Sequence, residues 1–85
     1  MTIDEVIALP QAERIARVPV GSRWRRGRGG WISGKVDAGE VVTVRSEAHY
    51  LAENERFCVK VEYPDGTRGW EAVVVLLVFY DPLTK

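Results

Sequence analysis

The run Phe57-Cys58-Val59-Lys60-Val61-Glu62-Tyr63-Pro64-Asp65-Gly66-Thr67-Arg68-Gly69-Trp70 carries most of the structural information in this chain. Phe57, Val59, Val61 and Tyr63 alternate with Cys58, Lys60 and Glu62, the period-two pattern of a strand with one buried face. Pro64, Asp65 and Gly66 then supply turn chemistry: proline presets φ, aspartate bonds nearby backbone, and glycine accepts a positive φ. A returning strand with a Gly-Trp pair follows. A hairpin of this kind in a short chain predicts a small β-rich domain, and small β-domains more often bind partners than transform them.

Working outward, the chain has 85 residues, of which 46% are hydrophobic, enough for one domain with one modest core. Twelve basic and twelve acidic residues cancel, but they are unevenly spread. Arg23, Arg25, Arg26, Arg28 and Lys35 fall in a stretch without acids, whereas positions 37–62 hold six acids against three bases. A single cysteine, Cys58, precludes an internal disulfide. Asp4 and Glu5 stand where a secretory leader would be basic. The longest apolar run, Ala72 to Tyr80, is too short for a membrane-crossing helix. A cytoplasmic setting is expected, with no membrane partner.

Residues 2–17 read as helical in two pieces. Thr2-Ile3-Asp4-Glu5 fits a capping box, Ile3, Val6 and Ile7 share a face, and Pro10 suits the first turn of a second helix carrying Ala12, Ile15 and Ala16. Pro19 and Gly21 close this part. From Ser22 the pattern is β: a strand at Arg23–Arg26, the loop Gly27-Arg28-Gly29-Gly30, a strand at Trp31–Val36, a turn at Asp37-Ala38-Gly39-Glu40, and a β-branched strand at Val41–Val44. The polar stretch Ser46–Glu55 reads as a long loop. After the hairpin, Ala72–Tyr80 reads as a last strand or a turn plus a strand, stopped by Asp81-Pro82. The expected fold is mostly β: a five-stranded small barrel over 22–85 with an N-terminal helical extension over 1–21.

Two of these stretches resemble the bacterial SH3-like domains, in the right order. Val36-Asp37-Ala38-Gly39-Glu40-Val41-Val42-Thr43-Val44 is similar to the family's step from an apolar residue through a Gly-acid pair into a strand. Phe57-Cys58-Val59-Lys60-Val61, followed by Asp65-Gly66-Thr67-Arg68-Gly69-Trp70, is similar to its aromatic strand, tight turn and Gly-Trp strand. From first to last they span positions 36–70 of the 85 residues. The helical front lies outside the resemblance. It implies an SH3-like barrel and a role in binding peptides, cell-wall fragments or nucleic acid, or as a structural module. Small proteins of phages and mobile elements also look like this, so an accessory protein of that kind is one expectation.

The sharpest candidate for a binding site is Arg23, Trp24, Arg25, Arg26, Arg28 and Trp31, because guanidinium forks pair with phosphate or carboxylate and indole faces accept bases, sugars or prolines. The competing reading makes Trp24 and Trp31 core anchors and the arginines a solvated rim. Trp70 suits a barrel rim, and Tyr50 adds an aromatic that could line a groove with it. His49 and Cys58 form the one available base–nucleophile pair, without an oxyanion motif or third member. One Cys and one His are too few soft ligands for a structural metal, and the glycine-rich run joins strands rather than opening a helix. We therefore expect no enzyme, no metal and no cofactor. The leading expectation is a protein-binding module for an acidic or extended segment; the alternative is nucleic-acid binding through the same arginines, opposed by the zero net charge. The exposed face of Ala72–Tyr80 needs a cover, supplied either by the N-terminal helix or by a second copy in a homodimer.

Overall fold

The computed structural model describes residues 1–27 and 36–83. The chain opens with two short helices, α1 (Ile3–Ala8) and α2 (Gln11–Ala16). The capping box forms: Thr2 Oγ1 accepts from the Glu5 amide at 3.2 Å, and Glu5 Oε1 accepts from the Thr2 amide at 2.9 Å. These bonds hold the Glu5 carboxyl below its ordinary pKa. The C-terminal end of α1 is satisfied from the next helix. Arg14 Nε donates to the Val6 carbonyl at 2.8 Å and Nη2 to the Ile7 carbonyl at 2.9 Å.

The strands that follow are β1 (Arg23–Arg26), β2 (Val41–Val44), β3 (His49–Leu51), β4 (Arg56–Glu62) and β5 (Arg68–Ala72). A helix, α3 (Val73–Phe79), leads into β6 (Tyr80–Pro82). All pairings are antiparallel, and the sheet runs β3-β4-β2-β1-β6, with β5 on the other side of β4. The last strand thus folds back beside the first. The expectation of a closed five-stranded barrel is met only as a mostly antiparallel sheet: six strands are present among the described residues, and the sheet is open.

The β4–β5 hairpin forms as the alternation predicts. Tyr63 N donates to Thr67 O at 2.8 Å, Gly66 N to Tyr63 O at 2.9 Å, and Asp65 Oδ1 accepts from the Thr67 amide at 3.0 Å. Gly66 takes φ +88°, where a Cβ would be strained. Val59, Val61 and Tyr63 enter the core with Val42 and Val44 from β2.

Two elements differ from the reading of the sequence. Ser46–Glu55 is not all loop. His49–Leu51 pairs with Arg56–Cys58, so β2 and β3 lie in succession along one edge of β4, with Ser46 Oγ accepting the Lys60 amide at the break. Ala72–Tyr80 is mainly helix rather than strand. Val73, Leu76, Leu77 and Tyr80 are buried, an i, i+3, i+4, i+7 set that fits a helical face. The remaining apolar residues of α3 are partly covered because α1 and α2 pack against it. A continuous apolar run hides its period, and only burial on several sides distinguishes the two states. The cover also differs in detail: Val6 is buried, but Ile3 and Ile7 remain 55% and 62% exposed.

Candidate functional site

β1 sends successive side chains to opposite faces, so the arginine-rich stretch is divided by geometry. Arg23 and Arg25 are exposed on the outer face of the sheet. Trp24, only 3% exposed, is a core anchor whose Nε1 donates to Ser22 Oγ at 3.0 Å. Arg26 is also buried. Its Nη1 donates to the carbonyls of Gly27 (2.6 Å) and Phe79 (3.4 Å), and its guanidinium lies 5.8 and 5.9 Å from the Phe79 and Tyr80 ring centroids. A cation is favoured there because the end of α3 presents carbonyl oxygens. Trp24 and Arg26 are thus structural rather than surface residues, a correction to the expectation that they contact a partner. Arg28 and Trp31 lie outside the described residues.

The registers assemble a different surface. Arg23 stands opposite Thr43, Thr43 opposite Glu62, and Glu62 opposite Arg68, a row across four strands of the outer face. At the ordinary strand spacing, Arg23 and Arg68 are roughly 14 Å apart along the sheet. Glu62 Oε1 lies 3.4 Å from both Arg45 Nε and Arg68 Nη2. In the next row Lys60 stands opposite Trp70, with Arg45 beside them through its amide bond to Lys60 O. Further along, His49 faces Cys58, which faces Ala72.

Lys60 and Trp70 are in close contact for a backbone reason. The Tyr63–Thr67 bond sets the alternation of β4 with β5, and the Lys60 backbone groups are already bonded toward Arg45 and Ser46. Lys60 and Trp70 are therefore a non-hydrogen-bonded pair, the kind whose side chains approach most closely. The ammonium sits 4.6 Å from the indole centroid, and the His49 ring meets Trp70 edge-on at 5.8 Å. Trp70 stays 39% exposed. Tyr50, though exposed, is on the opposite face, edge-on to Phe57 at 5.5 Å, so it shares no groove with Trp70.

The outer face consequently carries Arg23, Arg25, Arg45, Arg56, Lys60 and Arg68, with Arg45, Lys60 and Arg68 near Trp70 and the β1 arginines three strand spacings away, and with Glu62 and Asp81 as its acids. Of the other acids of the described residues, Glu71 turns to the inner face and the rest lie in the helices or in turns and loops between strands. Arg45, Lys60 and Arg68 were not singled out from sequence; the alternation of β4 marks Lys60 as outward, but its meeting with Trp70 depends on register.

His49 and Cys58 do come together as cross-strand neighbours. The thiol is nevertheless buried, and burial pushes its pKa up; its contacts are Asn54 Nδ2 at 3.9 Å and the Arg56 carbonyl at 3.8 Å. That environment favours the unreactive thiol over thiolate. No group of three metal-ligating side chains occurs among the described residues, and no helix there is long and apolar enough to cross a membrane. No protein-family model, curated protein or solved structure matches the chain.

Proposed function

We propose that this protein is a small non-enzymatic binding module of SH3-like type that docks an acidic, extended segment of a protein partner on the outer face of its sheet. The fold part of this reading is supported by β6 pairing back on β1, the step a small barrel needs before it closes. The functional part rests chiefly on one observation: the outer face displays cations of β1, β4 and β5 together with Arg45, and Lys60, Arg45 and Arg68 lie beside the half-exposed Trp70. Such a surface complements carboxylates and speeds encounter with acidic partners.

The same cations favour a second reading, binding of nucleic acid through phosphates. The zero net charge of the chain, and the Glu62 carboxylate set between Arg45 and Arg68, weigh against it, because a phosphate-binding face usually carries an uninterrupted basic excess. The test is a pair of salt titrations by fluorescence anisotropy, one with a labelled glutamate-rich peptide and one with a labelled dT20 oligonucleotide. The peptide is expected to bind, with affinity lost on combining Arg68→Ala and Lys60→Ala, while dT20 is not retained at low salt. Tight, steeply salt-dependent binding of dT20 without peptide binding would replace the first reading by the second.

A further inference from the structure

The backbone of β5 adds something the outer face alone does not imply. Since Tyr63 pairs with Thr67 and Lys60 bonds away from β5, the N–H and C=O groups of Arg68 and Trp70 and the N–H of Ala72 point outward from the sheet, while the Ala72 carbonyl is taken by α3, which it caps. No strand pairs with that edge among the described residues. Natural sheets protect open edges with bulges, prolines or covering segments. Here the edge borders a cleft of about 320 Å³ lined by Asn54, Arg56, Trp70, Glu71, Ala72 and Val75. The residues whose backbones face outward also turn their side chains to the cationic face. Backbone bonding and charge recognition are thus available on one strand.

We propose that an acidic segment of a partner protein adds to β5 as an antiparallel strand, with side chains two apart meeting Arg68, Trp70 and the Arg56 end of the cleft. The inference rests on the reading above and specifies its geometry. The residue opposite Trp70 exchanges two backbone hydrogen bonds with it and lays an aromatic or aliphatic side chain on the exposed part of the indole. The residues on either side of it on the same face stand opposite Arg68 and Ala72. A carboxylate at the first pairs with Arg68, whose side chain is 57% exposed even beside Glu62. A carboxylate at the second enters the cleft, where Arg56 offers the cation; Glu71, the cleft's own acid, turns to the inner face, where it accepts a 3.4 Å bond from Tyr63 Oη. The preferred segment therefore has acids four positions apart, about 14 Å along a strand, with a large apolar residue midway.

The probe is the peptide acetyl-TEVYVET-amide, titrated by calorimetry and amide hydrogen exchange against the full chain, with an analogue N-methylated at its tyrosine. Binding is expected, with slowed exchange at the Arg68 and Trp70 amides and a loss of about tenfold in affinity on methylation. Arg68→Glu should weaken the peptide and be rescued by lysine at the facing position. Equal binding of the methylated analogue would overturn strand addition while leaving the docking module intact. Failure of the peptide alongside binding of dT20 would overturn both. Sedimentation showing a dimer with those two amides already slow would assign the edge to a second copy and overturn the proposal.

Discussion

Gly69 illustrates how a single position constrains the hairpin. It stands on the inner face opposite Val61, and Tyr63 folds over it so closely that an added Cβ would lie 2.9 Å from Oη and 3.0 Å from Cε2. Glycine here lets an aromatic ring cover the backbone. Because Tyr63 is buried, its ring has little room to withdraw, and Gly69→Ala should destabilise by about 1–3 kcal/mol, read as a lower urea midpoint with unchanged slope. Tyr63 and its neighbour Tyr80 carry a second expectation. Burial, reinforced by the Glu71 carboxylate, pushes both phenols up to about 12. In the unfolded chain they ionise near pH 10. Above that value the unfolded state gives up protons the folded state retains, so stability falls as pH rises from about 10 to 12. A melting series across that window should show a decline that Tyr80→Phe makes shallower.

At the scale of elements, α1 depends on α2. A helix of this length is marginal alone, and its last carbonyls would compete for water without the Arg14 fork. Arg14→Ala should cost about 1 kcal/mol and speed amide exchange in α1; Arg14→Lys restores the charge without the two-pronged geometry and should recover only part. The elements also show what could be read in advance. The capping box, Pro10 at the start of α2 and the turn at Pro64-Asp65-Gly66 each act within a few residues, and all three were legible. The helix α3 was not, because Val73 to Phe79 is apolar at every position and β-branched at four of them. Nor was β3, whose polar residues gain their order only from pairing with β4. The direction of Trp24 and Arg26 was hidden for a related reason: alternation divides β1 into two faces, but Arg-Trp-Arg-Arg does not say which is inward. Arg26 points inward because the end of α3, remote in sequence, supplies its carbonyl.

For the molecule as a whole, the radius of gyration of 11.8 Å agrees with the roughly 12 Å expected of one compact domain of this length. The helical front contributes to that body, since Val6 and Val18 are part of the core. Each buried valine is worth about 1.5–3 kcal/mol, against a total stability on the order of 4–13 kcal/mol for a chain this size. Removing residues 1–18 should therefore leave an aggregating or unfolded product, checked by circular dichroism and sedimentation; a monomeric fragment with a cooperative melt would refute it. Cys58 offers a way to follow such losses. Its sulfur is buried within β4 against the Asn54 side chain and the Arg56 carbonyl, so a thiol reagent reaches it only when that packing opens. Labelling rate in native buffer becomes a stopwatch for transient opening, and one ageing sample could be timed at a single atom.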